Sequence, residues 1–164
     1  MKSFSALMGK QTLLPIIQAN TVEEGLEIGK AMAAAGIGLV EVVLRTEVSI
    51  DVIRALKDAL PHLKVGAGTI LNADIYQKAI EAGSDFIITP TISASLLNIL
   101  SKSPVPVLPG VSNASDILLA VEHGYTELKL FPASLSGGAP FISAMSSIFK
   151  EIVFCPTGGV NESN

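Results

Sequence analysis

Short apolar runs alternate with amphipathic stretches along this chain, and the alternation recurs about every 20–25 residues. The runs at 13–19, 37–45, 64–70, 85–90, 105–110, 127–132 and 152–157 are rich in Val, Ile and Leu. Each is bounded by Gly, Pro or polar residues, the pattern of a strand. The stretches between them predict helices. Thr21-Val22-Glu23-Glu24 is a capping box: the threonine hydroxyl takes the Glu24 amide and the glutamate answers. That helix runs to about Ala35 and stops at Gly36. Further helices are expected over 49–59, from an Asn72 cap to Gly83, and over 93–101. Two more run from a Ser112 cap to His123 and from Pro140 to Phe149, proline being tolerated in a first helical turn. A short helix fits the first residues, and Gly158-Gly159-Val160-Asn161 reads as a loop entering another helix.

A strand followed by a helix, repeated without a linker or composition shift, predicts one α/β domain over 1–164 with a parallel sheet. The sheet is either doubly wound or a (β/α)₈ barrel. Polar or ligand-friendly residues stand at the ends of many strands: Glu41 and Arg45, Thr69, Thr89-Pro90, Lys129 and Thr157-Gly158-Gly159. A doubly wound sheet gathers its chemistry at one switch point, so this spread favours the barrel. Seven strands fall one helix and one strand short of closure.

Composition sharpens this picture. The apolar fraction is 49% and Trp is absent, so the core must be Val, Ile, Leu and Ala, the mix that packs between helices and a doubly covered sheet. Net charge is −4, which gives no basic footprint for nucleic acid. Cys155 is the one cysteine, which excludes an internal disulfide framework and fits a reducing cytoplasm. Residues 1–10 are too short and interrupted for a signal peptide, and no window is apolar enough to span a membrane. A soluble cytoplasmic protein without membrane partners is expected.

Lys129 is the first chemical candidate. Period-2 alternation puts Glu127, Lys129 and Phe131 on one strand face and Leu128 and Leu130 on the other. Burial disfavours an ammonium ion, and a neutral amine attacks ketones to form Schiff bases. A strand-end lysine that snorkels to solvent is the plain alternative. Glu41 and Arg45 share parity on the second strand, with Val40, Val42 and Leu44 facing the other way. They read either as a structural pair or as an acid/base carboxylate beside a bidentate carboxylate clamp. Gly66-Ala67-Gly68 lacks the spacing of a dinucleotide loop and instead allows close approach of a ligand or neighbour. Gly158-Gly159 before a helix start offers amides to an anion, where barrels bind phosphate. His62 and His123 stand at helix ends, Cys155 has core parity, and no cluster has metal-ligand spacing.

Five motifs then stand in order along the chain: Val40-Glu41-Val42-Val43-Leu44-Arg45-Thr46-Glu47, Val65-Gly66-Ala67-Gly68-Thr69, Val107-Leu108-Pro109-Gly110-Val111, Leu128-Lys129-Leu130-Phe131-Pro132-Ala133 and Phe154-Cys155-Pro156-Thr157-Gly158-Gly159. Together they resemble the 2-keto-3-deoxy-6-phosphogluconate aldolase family, which includes 4-hydroxy-2-oxoglutarate aldolases. The resemblance covers nearly the whole chain. It implies a metal-independent class I aldolase without cofactor, on a (β/α)₈ barrel and usually a homotrimer, acting on 2-keto acids that yield pyruvate. Lys129 matches the Schiff-base lysine and Glu41 the acid/base carboxylate. Arg45 and Thr69 match residues around the pyruvate carboxylate, and Pro90 and Phe131 match positions lining the pocket. Thr157 joins this substrate set, and Gly158 and Gly159 match part of a phosphate site. The family continues into an eighth strand carrying Gly-Gly-Ser, so a fragment of a longer protein is expected. Two other readings stay open: a phosphosugar epimerase or isomerase with Glu41 as base, and an inactive structural relative.

Overall fold

Each apolar run becomes a parallel strand, and the amphipathic stretches become helices packed on its outer side. The computed structural model describes residues 2–164. In chain order the elements are α1 (Phe4–Met8), β1 (Ile16–Ile17), α2 (Val22–Ala34), β2 (Leu39–Val43), α3 (Ser49–Ala59), β3 (Lys64–Gly68), α4 (Ala73–Glu81) and β4 (Ile87–Ile88). Then follow α5 (Ala94–Leu100), β5 (Val107–Leu108), β6 (Gly110–Val111), α6 (Ala114–Glu122), β7 (Glu127–Leu130), α7 (Gly138–Ile148) and β8 (Val153–Pro156).

Side-chain caps begin most helices. Thr21 Oγ1 accepts the Glu24 amide at 3.1 Å, while the Glu24 carboxylate reaches back to the Asn20 amide at 2.7 Å. Asn72 and Ser93 cap α4 and α5 in the same way. At α6 the cap is Asn113 rather than Ser112; the Ser112 amide instead donates to Asp116. The two residues are equivalent as cap formers, and the Asp116 contact decides between them. α7 starts at Gly138, ahead of Pro140, because Gly137 turns the chain at φ 97°, a conformation glycine adopts freely.

The strands form two sheets, β1-β2-β3-β4-β5 and β6-β7-β8, all parallel. β5 and β6 are two pieces of one strand broken at Pro109, which has no amide to give a ladder. Across the break the buried Thr89 hydroxyl accepts the Gly110 amide at 3.0 Å, and the Thr89 amide donates to Leu108 O at 3.3 Å. Seven strand positions thus curve into an open barrel of the (β/α)₈ type. β1 and β8 are its edges and do not pair with each other. The expected first strand over 13–19 shrinks to Ile16–Ile17. It has a neighbour on one side, Pro15 contributes a carbonyl to Glu41 N but no amide, and Leu13 is exposed.

Two apolar clusters sit on either side of the strands. The outer one packs Val40, Val42, Val65, Ala67 and Leu128 against the helices. The inner one holds Phe4, Leu39, Phe86, Ile88 and Leu108. Phe4 comes from α1, which lies under the barrel; its ring meets Phe86 edge-on, centroids 5.3 Å apart. The start of α1 is fastened to β7. The Glu127 carboxylate accepts the Phe4 amide at 2.6 Å, the Ser5 amide at 2.9 Å and the Ser3 hydroxyl at 3.0 Å. Among the described residues no helix is long and apolar enough to cross a membrane.

Candidate active site

Strand parity brings two charged side chains into the apolar interior. Lys129 Nζ lies 3.4 Å from Glu41 Oε1, with the two side chains 4% and 0% exposed. Their strands belong to different sheets, so the pair spans the barrel. Burial is the main influence on Glu41 and raises its carboxyl above the ordinary 4.5; the Lys129 charge, its hydrogen bond and Arg45 pull the other way. Glu41 Oε2 has no hydrogen-bond partner among the described residues. A buried carboxylate with one oxygen uncommitted is suited to move a proton to and from a bound molecule.

Arg45, Thr69, Pro90, Phe131 and Thr157 all lie just beyond strand ends, on the same side of the barrel. Arg45 stands past the end of β2 rather than within it, exposed, and its Nε donates to Thr69 Oγ1 at 3.2 Å. Thr69 holds φ at 65°, a region a β-branched residue enters at a cost of about 1–3 kcal/mol. Local sequence preference does not produce that turn, so the surrounding fold imposes it. The Lys129 ammonium sits 5.0 Å from the Phe131 ring centroid, close enough for cation–π attraction. Thr157 is buried and its hydroxyl has no partner among the described residues.

Gly158 and Gly159 follow at φ 90° and 75°. The loop after β7 lies on them: Ala133 N donates to Thr157 O at 2.7 Å and Ser134 N to Gly158 O at 3.1 Å. A methyl group on Gly159 would overlap the Ser134 hydroxyl. No hydrogen bond among the described residues uses the amide of either glycine.

The remaining candidates fall outside this constellation. His62 is exposed, and His123 closes α6, its ring Nδ1 2.8 Å from Leu119 O. Cys155 is the register partner of Lys129 but is half-buried instead of core, because β8 is an edge. Burial pushes its thiol up, Lys129 draws it down, and Glu41 adds to the rise. The described residues contain no group of three His, Cys, Asp or Glu able to hold a metal ion. A cleft of about 710 Å³ runs along the open flank beside Cys155, Thr157 and Gly158, yet neither Lys129 nor Glu41 lines it. The two unpaired strand edges, β1 and β8, are enough to open a cleft there.

Two residues to which the sequence assigned no role at the site also shape it. Gly68 lies directly against the Glu41 carboxylate, and Glu127 anchors α1 beneath it. For Gly68 the signal was present, in the glycines that share the inward parity of β3.

A profile described as KDPG and KHG aldolase matches residues 4–164. The chain belongs to the KDPG and KHG aldolase family. It is 43% identical to the 2-dehydro-3-deoxy-phosphogluconate aldolase of Pseudomonas aeruginosa, over 93% of this chain and 69% of that one. The crystal structure of the Zymomonas mobilis 2-keto-3-deoxy-6-phosphogluconate aldolase superposes with a TM-score of 0.94 at 34% identity, over 99% of this chain and 78% of that one. A KDPG aldolase from Legionella pneumophila, solved with pyruvate captured as a covalent carbinolamine, gives 0.89 at 36% identity, over 92% and 73%. The barrel of this aldolase family therefore accounts for the parallel strands, and these relatives are each longer than the part this chain matches.

Proposed function

We propose that this chain cleaves 2-keto-3-deoxy-6-phosphogluconate to pyruvate and glyceraldehyde 3-phosphate through a Schiff base at Lys129. The buried Lys129–Glu41 pair at 3.4 Å carries the reading. The Lys129 amine attacks the C2 ketone, and loss of water gives a protonated imine. Glu41 takes the proton of the C4 hydroxyl, and the C3–C4 electrons flow into the imine as the aldehyde departs. Glu41, now protonated, returns a proton to C3 of the enamine, and water releases pyruvate. A carboxyl raised by burial suits both halves of that cycle.

Arg45 and Thr69 hold the carboxylate of the keto acid, with Pro90, Phe131 and Thr157 shaping the pocket. Gly158 and Gly159 present amides to the phosphate. 4-Hydroxy-2-oxoglutarate, cleaved to pyruvate and glyoxylate, is a second substrate by the same steps. The domain works as one barrel in the cytoplasm, as a homotrimer.

Incubation with pyruvate and borohydride tests the central step. Irreversible mass gain at Lys129 is expected, together with pyruvate release from the phosphorylated substrate. An epimerase using Glu41 alone would turn over without any trapped adduct.

A further inference from the structure

Two glycine-directed contacts lie on one face of β3, and they bear on where the Glu41 carboxylate sits. In the β2–β3 ladder Glu41 pairs with Gly66 and Val43 with Gly68, so both glycines share the inward parity of Glu41. The Gly66 position is filled by Phe86, whose ring a methyl there would overlap. Phe86 rests in turn on Phe4. The Gly68 position is filled by Glu41. A methyl group on Gly68 would overlap Glu41 Oε1 and stand 2.7 Å from Cδ and 2.9 Å from Cγ. Oε1 is the oxygen that meets Lys129 Nζ. The carboxylate therefore leans over bare backbone, above an aromatic floor, and points its other oxygen away from any protein partner.

We propose that Gly68 is a positioning residue for the proposed aldol chemistry: its missing side chain is the seat that holds the Glu41 carboxylate at the Lys129 amine. The reasoning rests on the Schiff-base reading for its consequence, but the seat itself is a matter of packing. The three atoms nearest a methyl on Gly68 all belong to Glu41, so Gly68→Ala pushes the carboxylate out of its buried place. A misplacement of about 1 Å at a catalytic group costs on the order of a hundredfold in rate.

The test separates the two catalytic groups. In Gly68→Ala, borohydride trapping of pyruvate at Lys129 is expected to stay within about twofold of the parent. Exchange of the pyruvate methyl protons, which needs Glu41, is expected to fall at least about tenfold. The acid limb of the exchange rate should move to lower pH, because burial raises Glu41 and a displaced carboxyl loses that burial. Glu41→Asp, one methylene shorter, should lower exchange in the parent and raise it in the Gly68→Ala background.

An infrared titration of the Glu41 carboxyl, identified by its loss in Glu41→Gln, reads the seat without any turnover. If the parent fails to trap pyruvate, the Schiff-base reading falls and this titration alone decides the role of Gly68. An unshifted titration with unchanged exchange in Gly68→Ala would overturn the proposal. If Gly68→Ala does not fold, Gly68→Ala with Glu41→Asp must fold and exchange. Failure of both to fold would reduce Gly68 to strand packing and overturn it equally.

Discussion

Replacing Lys129 by Met asks how the fold tolerates a carboxylate in its interior. Methionine keeps the straight stem and deletes the ammonium, leaving the fully buried Glu41 without its nearest counter-charge. At 3.4 Å and an effective dielectric of about 20, the gross attraction removed is about 5 kcal/mol. Orphaning one member of a buried pair costs about 3–5 kcal/mol while the survivor stays charged. Glu41 has another course, which is to take up a proton. Burial already raises it above 4.5, and the variant loses the Lys129 charge and hydrogen bond that oppose the rise. Its pKa in the folded variant is therefore higher still.

The sign of the pH dependence follows. Between 4.5 and the raised folded value, the native variant holds a proton that the unfolded chain has released. Stability of the variant then falls as pH increases, by about 1.4 kcal/mol per pH unit; relative to the parent it falls only above the parent's own raised Glu41 value, and it levels off once the variant's folded pKa is passed. Urea unfolding across pH 5 to 8, about three units, should show this slope for Lys129→Met. The same slope should be absent from Lys129→Met combined with Glu41→Gln, where an amide cannot titrate. Parallel pH curves for the single and double variants would refute the picture of a carboxylate kept charged by the lysine.

Three further outcomes are expected. Glu41→Gln should still trap pyruvate with borohydride yet lose proton exchange at the pyruvate methyl by about a hundredfold or more; unchanged exchange would leave Glu41 a structural role. Arg45→Lys should weaken pyruvate binding, measured by the concentration dependence of trapping, because an ammonium lacks the bidentate fork; equal affinity would move the carboxylate clamp elsewhere. Glu127→Gln should destabilise the fold by about 1–2 kcal/mol near neutral pH, a figure discounted for partial exposure. Burial alone would raise the Glu127 carboxyl, but the bonds from Ser5, Phe4 and Ser3 outweigh it and hold it below 4.5. That stability is present above 4.5 and lost as pH falls through the folded value, so melting curves of parent and variant should converge in acid.

What could be read from the chain alone was whatever is local or periodic. The capping residues Thr21 and Asn72 act within one helical turn, and the strand runs carry their own parity, which already aimed Glu41 and Lys129 inward. Arg45 shared that parity but lies in the turn after β2, since the ladder with β3 stops at Val43 and Gly68. The left-handed Thr69 had no local signal, because threonine prefers extended backbone. α1 is five residues long, too short for periodicity, and its anchor Glu127 lies 123 positions from Phe4. Contacts across such a span are set by the closed fold and leave no pattern in the neighbouring residues. Gly66 and Gly68 announced a close approach, and the structure identifies the visitors as Phe86 and Glu41.

The break at Pro109 makes the molecule mechanically two leaves on one spine. Glu41, Arg45 and Thr69 ride on the leaf containing β2 and β3, while Lys129, Phe131 and Thr157 ride on the leaf containing β7 and β8. Opposite the spine, β1 and β8 leave the leaves unfastened. Two ties then cross between them: the Lys129–Glu41 contact above and α1 below, which grips Glu127 on one leaf and sets Phe4 against Phe86 on the other. The amine and the carboxylate thus stand one on each leaf, 3.4 Å apart. The distance between Lys129 and Glu41 is therefore a distance between the two leaves, held at one end of the barrel by the pair itself and at the other by α1.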